Sequence, residues 1–361
     1  MLRKNKNMSV RISRLQKKFS AWKIDSLIFF NMNNIRYFSG FTGSDGVLLI
    51  GSDQTGLLVD GRYTTQAGLE ATDIQIIEYK NKVEGIVQAI KKIKLKRIGF
   101  ETDSITLEMY NQLTRSIPKE IFIDLTDDLR LIRACKDETE IDLLKRAAEI
   151  SSSAIHFLVD QIKSGCTEKE LALQLEINAR NYGADGIAFE AIIASGKNSS
   201  LPHARPTDRE IKKGDLIVID FGVKYKGYCS DETCTIAFEK LTDRQKNAYQ
   251  MVKDAHDLAI SGIKADVSAA DIDRRVRSVF GKKYGRYFSH GTGHGVGLDI
   301  HEAPRLSSNS NDILKPWMVV TVEPGLYFPG LWGIRIEDTV LVKENSCEKL
   351  TKMDKELTII E

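Results

Sequence analysis

Two aspartates flank a turn-rich segment in a pattern typical of a β-hairpin. An apolar run ends at Asp220, and an alternating run begins after Asp231. A turn centred on Tyr225 and Lys226 would place Asp220 opposite Asp231, with Cβ atoms about 4.5–5.5 Å apart. Two carboxylates at that distance repel each other unless a proton or a cation lies between them. The segment therefore predicts a cation site, whereas a longer turn would leave both aspartates at solvated strand ends.

Three of the six histidines fall within twelve residues, from His290 through His294 to His301, among four glycines. Glycine allows close backbone approach, and so glycine-rich a segment is a poor helix. A nucleotide-binding loop is disfavoured because neither GxGxxG nor GxxxxGK[ST] occurs, and His301-Glu302 does not continue to a zincin HExxH motif. The segment favours functional histidines over buried core histidines.

A second candidate hairpin carries two glutamates. Runs of β-branched residues containing Glu323 and Glu337 flank a Gly/Pro-rich turn, and a hairpin centred on Gly330 puts both glutamates on one face. Pro324 cannot donate to a ladder, which predicts that the strand ends at Glu323. Alone this signal is weak, since Glu337 could be an exposed strand residue.

Together these segments predict a metal centre. Four carboxylates and an imidazole form a hard, oxygen-rich ligand set, which suits Mn²⁺, or Co²⁺ and Fe²⁺, better than a structural zinc site. Four carboxylates exceed the charge of one divalent ion, which points to two ions. Two ions about 3.5–4 Å apart can bridge and activate a hydroxide and polarise a carbonyl, so the predicted reaction class is hydrolysis.

The composition limits the partners. The chain has 361 residues with 52 basic and 50 acidic side chains, a formal net charge of +2. This balance argues against a nucleic-acid or membrane surface. No apolar run reaches the roughly 18–20 residues that span a bilayer. Five cysteines without a CxxC pair argue against structural zinc and favour free thiols in a cytoplasmic protein. The basic segment 1–23 fits an exposed helix face better than an amphipathic leader.

The pattern of elements indicates an α/β (α+β) chain with two domains. Strands are predicted at 26–30, at 46–50 and 55–59 as a hairpin, and at 97–100, with a helix at 83–94. Helical periodicity covers 138–158, 168–182, 242–263 and 269–283. A polar and charged stretch around residues 124–134 separates the first group of strands from the helix at 138–158. It predicts an N-terminal domain of residues 1–127 and a catalytic domain of residues 128–361.

The chain resembles the metallopeptidases of the pita-bread fold, specifically Xaa-Pro aminopeptidases and Xaa-Pro dipeptidases (prolidases). The resemblance covers essentially the full length. It rests on the candidate ligand segments in the family's order and on four further segments: Asn34–Ser44, Asp60–Tyr63, Leu129–Arg133 and Leu201–Pro206. It implies a small creatinase-like N-terminal domain, a pita-bread catalytic domain and a homodimer.

The resemblance also implies a role for individual residues. It implies the metal ligands Asp220, Asp231, His294, Glu323 and Glu337, with Asp231 and Glu337 bridging two ions; Mn²⁺ is favoured over Co²⁺, Fe²⁺ and Zn²⁺. Glu323 would act as general base. It further implies that His203 lies on a flexible loop beside the substrate, that His290 contacts the substrate carbonyl, and that His301 assists proton transfer. Arg335 would hold Asp231 or the glutamate in place.

The expected activity is release of the N-terminal residue from peptides with proline at the second position, as an Xaa-Pro aminopeptidase. A dipeptidase restricted to Xaa-Pro dipeptides is the alternative, and an inactive binding module is disfavoured because all five candidate ligands are present. A creatinase-like activity is disfavoured because it uses no metal. One departure is Cys234, where relatives often have arginine; strand alternation turns it away from Asp231 and Thr233.

Overall fold

The computed structural model describes the backbone of residues 2–361 and the side chains of residues 8–361. Two compact units make up the chain, Met1–Arg130 and Leu131–Glu361. The predicted domain limits, residues 1–127 and 128–361, stay a prediction. No helix in the described part of the chain is long and apolar enough to cross a membrane.

The first unit is built on a six-stranded mixed sheet in the order β4-β3-β2-β1-β5-β6, in which β2 is antiparallel to both of its neighbours. Its strands are β1 Ser26–Phe29, β2 Val47–Gly51, β3 Thr55–Asp60, β4 Gln75–Tyr79, β5 Ile98–Phe100 and β6 Phe122–Asp124. Its helices are α1 Leu2–Gln16, α2 Phe19–Trp22, α3 Met32–Ser39, α4 Thr64–Glu70, α5 Lys82–Ile93, α6 Leu107–Thr114 and α7 Thr126–Leu129. The predicted strands, the β2–β3 hairpin and the α5 helix are confirmed.

The second unit combines four long helices with several small sheets. The helices are α8 Glu138–Val159, α9 Glu168–Asn181, α10 Asp243–Gly262 and α11 Ala269–Tyr284, as the sequence predicts. Capping boxes begin three of them, because Asp137, Thr167 and Thr242 each accept a backbone N–H while the side chain three residues on returns to the cap. The apolar positions of α8 pack in a core shared with β8, β9 and β12.

Two sheets of the second unit carry the candidate ligands. One has the order β20-β12-β9-β8, the other β14-β13-β15-β18-β19, and two smaller sheets are β11-β10-β7 and β16-β17. The strands are β7 Gly186–Ile187, β8 Ile192–Ser195, β9 Leu216–Phe221, β10 Val223–Tyr225, β11 Tyr228–Cys229, β12 Glu232–Phe238, β13 Gly293–Gly295, β14 Glu302–Leu306, β15 Val319–Val322, β16 Gly325–Phe328, β17 Trp332–Arg335, β18 Asp338–Val342, β19 Cys347–Lys349 and β20 Ile359–Ile360.

The aspartate hairpin forms, but its predicted register is wrong. Asp220 lies opposite Thr233, not opposite Asp231. The turn residues are Lys226 and Gly227, both with positive φ (47° and 85°), the combination that a tight primed turn requires. Because the shift is two residues, Asp220 and Asp231 still belong to the same face of the hairpin.

The glutamate hairpin has the predicted register. Val322 pairs with Asp338 in one ladder and Gly325 with Arg335 in the next, both centred on Gly330. Glu323 and Glu337 lie between these two ladders, and strand β15 ends at Val322, just before Glu323 and Pro324. The hairpin therefore presents both glutamates at the same level.

Candidate metal centre

The five candidate ligands come from two hairpins and the histidine segment of the second unit. Asp231 immediately precedes β12, His294 is the middle residue of β13, and Glu337 immediately precedes β18. One ligand atom from each of these three side chains lies within 4.8 Å of the others. Glu323 joins them, because its Oε1 lies 3.5 Å from His294 Nε2, as does Asp231 Oδ2. Asp220, at the end of β9, contributes its charge to the same group of acids.

His294 is held in the tautomer that suits a metal ligand. Its Nδ1 lies 3.1 Å from the carbonyl oxygen of Gly295, so Nδ1–H donates there and the lone pair of Nε2 faces the acids. Burial and then the nearby His301 lower the pKa of His294 to about 3, so the imidazole is neutral at physiological pH. A neutral imidazole beside several carboxylates is the form that binds a cation.

Close backbone approach explains the glycine before His294. A Cβ at Gly293 would lie 2.0 Å from the carbonyl oxygen of Thr321 on β15. The next residue uses this proximity, because the His294 N–H donates to Thr321 Oγ1 at 3.0 Å. Gly293 therefore lets β13 lie close to β15, where Thr321 holds the backbone of His294.

The carboxyl groups of this site are buried next to one another, with few hydrogen-bond donors or positive charges to balance them. Burial, followed by the charges of neighbouring acids, raises the pKa values of Asp231 and Glu337 well above their usual range. Burial also raises the pKa of Glu323 to about 7. Among the described residues, no donor contacts the buried Oδ1 of Asp220. Because isolated buried charge is costly, this donor set fits one or more divalent cations.

Arg335 is the one guanidinium inside this group of described residues, and its partner differs from the expectation. It donates through Nη2 to Asp220 rather than to Asp231 or a glutamate. It also donates to Thr233 Oγ1 at 3.2 Å and to Tyr327 Oη at 2.8 Å. Thr233 in turn donates to Glu337 at 2.6 Å. Arg335 thus contacts Asp220 directly and Glu337 only through Thr233, and its orienting role stays a prediction.

His290 lies at the edge of the acids with both ring nitrogens engaged. Nδ1 lies 2.8 Å from the Gly291 carbonyl oxygen and Nε2 lies 2.9 Å from Tyr327 Oη. Since Arg335 donates to the same hydroxyl, the Tyr327 proton points to His290 Nε2. Burial and Arg335 lower the pKa of His290 to about 4. Contact with a substrate carbonyl would require His290 or Tyr327 to change partner.

His301 and His203 are exposed, whereas His290 and His294 are partly buried. The rings of His301 and His294 meet edge to face, with centroids 4.3 Å apart. Burial, and then the charge of His203, lowers the pKa of His301. His203 lies in the segment 201–206, where Arg335 donates to the carbonyl oxygen of Pro202 at 3.0 Å. Both histidines therefore face the neighbourhood of the acids from accessible positions.

Sequence reasoning missed the side chains that support the histidine segment. Asp273 and Arg277 on α11 form an ion pair at 2.7 Å. Asp273 accepts from Thr292 N–H and hydroxyl, and Arg277 donates to the His290 carbonyl oxygen at 2.7 Å. Asp273 is fully buried. Its sequence neighbourhood carries only an acidic stretch, which gives no signal for this role.

Comparison with known families agrees with this geometry. Residues 142–344 match the metallopeptidase family M24 and residues 11–135 match the creatinase/prolidase N-terminal domain. The chain belongs to metallopeptidase family M24. The expected fold, a creatinase-like domain followed by a pita-bread domain, is confirmed. Membership of this family implies bound divalent metal ions.

Similar proteins of the M24 family carry two kinds of name. The chain is 35% identical to an Xaa-Pro dipeptidase of Pyrococcus furiosus, over 97% of this chain and 100% of that protein. A solved Xaa-Pro dipeptidase from Bacillus anthracis has a TM-score of 0.94 and 38% identity, covering 98% of this chain and 100% of that one. A solved X-Pro aminopeptidase from Thermotoga maritima has a TM-score of 0.89 and 36% identity, covering 97% and 99%.

Proposed function

We propose that this M24 metallopeptidase hydrolyses the peptide bond between an N-terminal residue and proline, with Xaa-Pro dipeptides as its substrates. The observation that carries the proposal is the buried group of Asp231, His294 and Glu337, whose ligand atoms converge within 4.8 Å. Proline specificity is supported by the names of the similar proteins. An imino amide has no N–H and a fixed φ, so its hydrolysis calls for a dedicated site.

The five candidate ligands would hold two divalent ions. Asp231, His294 and Glu337 converge closely enough to share an ion, and Asp220 and Glu323 would complete the ligand set. When bound, the ions would supply an activated water at neutral pH and polarise the scissile carbonyl. Mn²⁺ is the proposed metal because four of the five ligands are carboxylates, with Co²⁺, Fe²⁺ and Zn²⁺ as alternatives.

The remaining groups of the site would handle protons and charge. Glu323 would take a proton from the attacking water, since its carboxylate lies 3.5 Å from the candidate ligand His294. The Tyr327 hydroxyl, held by Arg335, would support His290 as that ring contacts the substrate carbonyl. His301 and His203, both exposed, would contact the substrate and assist transfer of a proton to the leaving nitrogen.

An exposed arginine supports dipeptides as the substrate class. Arg305 on β14 lies directly opposite His294 on β13, so the two side chains share a face. Its positive charge contributes to the lowered pKa values of His294 and His301. A guanidinium at this position is suited to bind the terminal carboxylate of a short substrate. The aminopeptidase remains a second candidate, supported by the similarity to the Thermotoga maritima enzyme.

The test compares a dipeptide with a tripeptide. The full chain, loaded in turn with Mn²⁺, Co²⁺ or Zn²⁺, is assayed on Ala-Pro and on Arg-Pro-Pro, with Glu337→Gln as the inactive control. Cleavage of Ala-Pro alone supports the dipeptidase, and release of arginine from Arg-Pro-Pro supports the aminopeptidase. Cleavage of neither peptide with any metal contradicts the proposal. For the dipeptidase, Arg305→Met is expected to raise KM for Ala-Pro, with partial rescue by Arg305→Lys.

The state of the cysteines bears on the compartment in which the enzyme would work. All five cysteines, Cys135, Cys166, Cys229, Cys234 and Cys347, are free thiols in the structure, as a reducing cytoplasm would maintain them. The homodimer implied by the resemblance stays a prediction, which sedimentation of the full chain would test.

A further inference from the structure

Behind the candidate metal centre lies a second buried cluster of charges, formed by Glu232, Asp338 and Lys355. Their residue exposures are 0%, 1% and 4%. Glu232 follows the candidate ligand Asp231, and Asp338 follows the candidate ligand Glu337. Because neighbouring side chains of an extended strand point to opposite sides, these two acids occupy the reverse of β12 and β18. We call this cluster the reverse-face triad.

Lys355 contacts both acids of the triad. Its Nζ lies 2.7 Å from Glu232 Oε1 and 3.5 Å from Asp338 Oδ1. The acids raise the pKa of the Lys355 ammonium against the opposing effect of burial. Glu232 on β12 and Asp338 on β18 belong to different sheets. Lys355 therefore links a strand of one sheet to a strand of the other.

Further hydrogen bonds hold the three residues of the triad in place. Glu232 accepts from the Ser152 hydroxyl and from the Met353 N–H at 3.0 Å. Asp338 accepts from the Thr351 hydroxyl at 2.7 Å. Tyr249 donates to the Lys355 carbonyl oxygen at 3.1 Å. Lys355 is therefore a buried lysine, held in place at both its side chain and its backbone. It links the C-terminal segment to β12 and β18.

The connection bears on the candidate ligands through short backbone links. Thr339, next to Asp338, donates from its hydroxyl to the Asp231 carbonyl oxygen at 2.7 Å, and the Glu337 N–H donates to the Thr233 carbonyl oxygen at 3.1 Å. The ligand carboxylates of Asp231 and Glu337 repel each other, which tends to separate the strands that carry them. A cation tied to the reverse of both strands opposes that separation.

We propose that Lys355 is a positioning residue that sets the spacing of Asp231 and Glu337 for two divalent ions, by tethering Glu232 and Asp338 on the reverse of their strands. The inference rests on the proposed function only in taking Asp231 and Glu337 as metal ligands. Partners that orient metal ligands from behind affect metal affinity about 10–100-fold when they are removed. A buried ion pair kept only for folding would have no such effect.

The test measures binding of Mn²⁺ to the full chain after the metal has been stripped with a chelator, by calorimetric titration. Lys355→Met is expected to weaken Mn²⁺ binding at least about tenfold. Lys349→Met is the matched control, because Lys349 contacts Asp338 at 2.7 Å from a half-exposed position and does not reach Glu232; its Mn²⁺ affinity is expected to match that of the native chain. Unchanged affinity in folded Lys355→Met would overturn the proposal.

A neutral triple variant separates positioning from folding, and it decides the matter where Lys355→Met does not fold. Lys355→Met combined with Glu232→Gln and Asp338→Asn leaves no uncompensated buried charge. We expect this variant to fold and still to bind Mn²⁺ at least about tenfold more weakly; recovery of native Mn²⁺ affinity would assign Lys355 to folding alone. Tight Mn²⁺ binding by the native chain without hydrolysis of Ala-Pro would defeat the proposed function but not this one.

Discussion

Buried acids lie on both sides of strands β12 and β18, and their pKa values are shifted in opposite directions. On the ligand face, Asp231 and Glu337 lie among further acids, and their pKa values are raised well above the usual range by burial and mutual repulsion. On the reverse face one residue further along, the pKa of Asp338 is held below its usual range by Lys355 and His256, even though burial acts to raise it.

The acids of the reverse face are neutralised by a lysine of the protein itself. The acids of the ligand face would need a bound metal ion for the same purpose. Burial is similar on both sides, with Glu232, Asp338, Asp231 and Glu337 all at most 5% exposed. The positive partners differ: Lys355 contacts both acids of the reverse face, whereas Arg335 on the ligand face pairs with Asp220. Acids left without enough partners in a folded core indicate a ligand, since structural acids in the same strands are compensated.

Neutralising one acid of the ligand face should cause the largest loss of metal binding and activity. The same change should make the metal-free protein more stable. Glu337→Gln is expected to weaken Mn²⁺ binding and kcat/KM by more than about 100-fold, because a shared ligand exceeds an outer partner in importance. In the metal-free protein it should raise stability by about 1–3 kcal/mol, since a poorly compensated buried charge is removed. Urea unfolding with and without metal checks both; a metal-free variant less stable than the native chain would contradict the comparison.

The equivalent substitution on the reverse face should act in the opposite direction. Asp338→Asn removes one partner of a buried ion pair and is expected to destabilise the metal-free protein by about 3 kcal/mol, the lower end for such pairs because Lys355 keeps Glu232. The same urea series measures it. If Asp338→Asn and Glu337→Gln shifted stability in the same direction, the two faces would not differ as described.

The pH dependence of metal-free stability should distinguish Glu323 from an ordinary surface acid. Its pKa is raised from 4.5 to about 7, so the folded chain keeps a proton that the unfolded chain loses. Stability from this group is present below about pH 4.5 and is lost as the pH rises through about 7. Between pH 5 and pH 8, the free energy of unfolding of Glu323→Gln should therefore increase relative to that of the native chain, by up to about 3 kcal/mol.

Thermal unfolding of the metal-free pair at several pH values measures this difference. Comparing the two proteins cancels the opposing contributions of His290 and His294, whose lowered pKa values are common to both. A difference that stays constant with pH would show that Glu323 ionises normally.

The smallest expected effects come from two buried threonines, one on each side. Thr351 donates to Asp338 at 2.7 Å and Thr233 donates to Glu337 at 2.6 Å. Thr351→Val should lower stability by about 1–3 kcal/mol and leave Mn²⁺ affinity unchanged, because it leaves a buried acceptor unpaired. Thr233→Val should lower Mn²⁺ affinity, which calorimetric titration measures. Equal effects of the two on Mn²⁺ affinity would argue against separate faces.

The sequence predicts the helices and the glutamate hairpin well because their signals are local. Apolar periodicity marks α8 to α11, and the turn around Gly330 fixes the register of Glu323 and Glu337. The predicted register of the aspartate hairpin is wrong because it centres the turn on Tyr225 and Lys226, whereas Lys226 and Gly227 have the positive φ values of the turn that forms.

The supporting shell could not be predicted in the same way. Arg335 pairs with Asp220, 115 residues away along the chain, and Lys355 pairs with Glu232, 123 residues away. Such pairs depend on how separate sheets and the C-terminal segment meet, which no local pattern encodes. The candidate ligands and, through the resemblance, Arg335 could be identified from sequence, but the pairing of Arg335 with Asp220 and the contacts of Lys355 could not.

Anomalous diffraction from crystals of the full chain soaked in Mn²⁺ tests the central claim most directly. We expect two anomalous peaks about 3.5–4 Å apart, both in contact with Asp231 and Glu337 and one in contact with His294. No peak would be expected beside Glu232 or Asp338. Absence of a peak at the ligand face, or a peak at the reverse face instead, would contradict the distinction between the two sides.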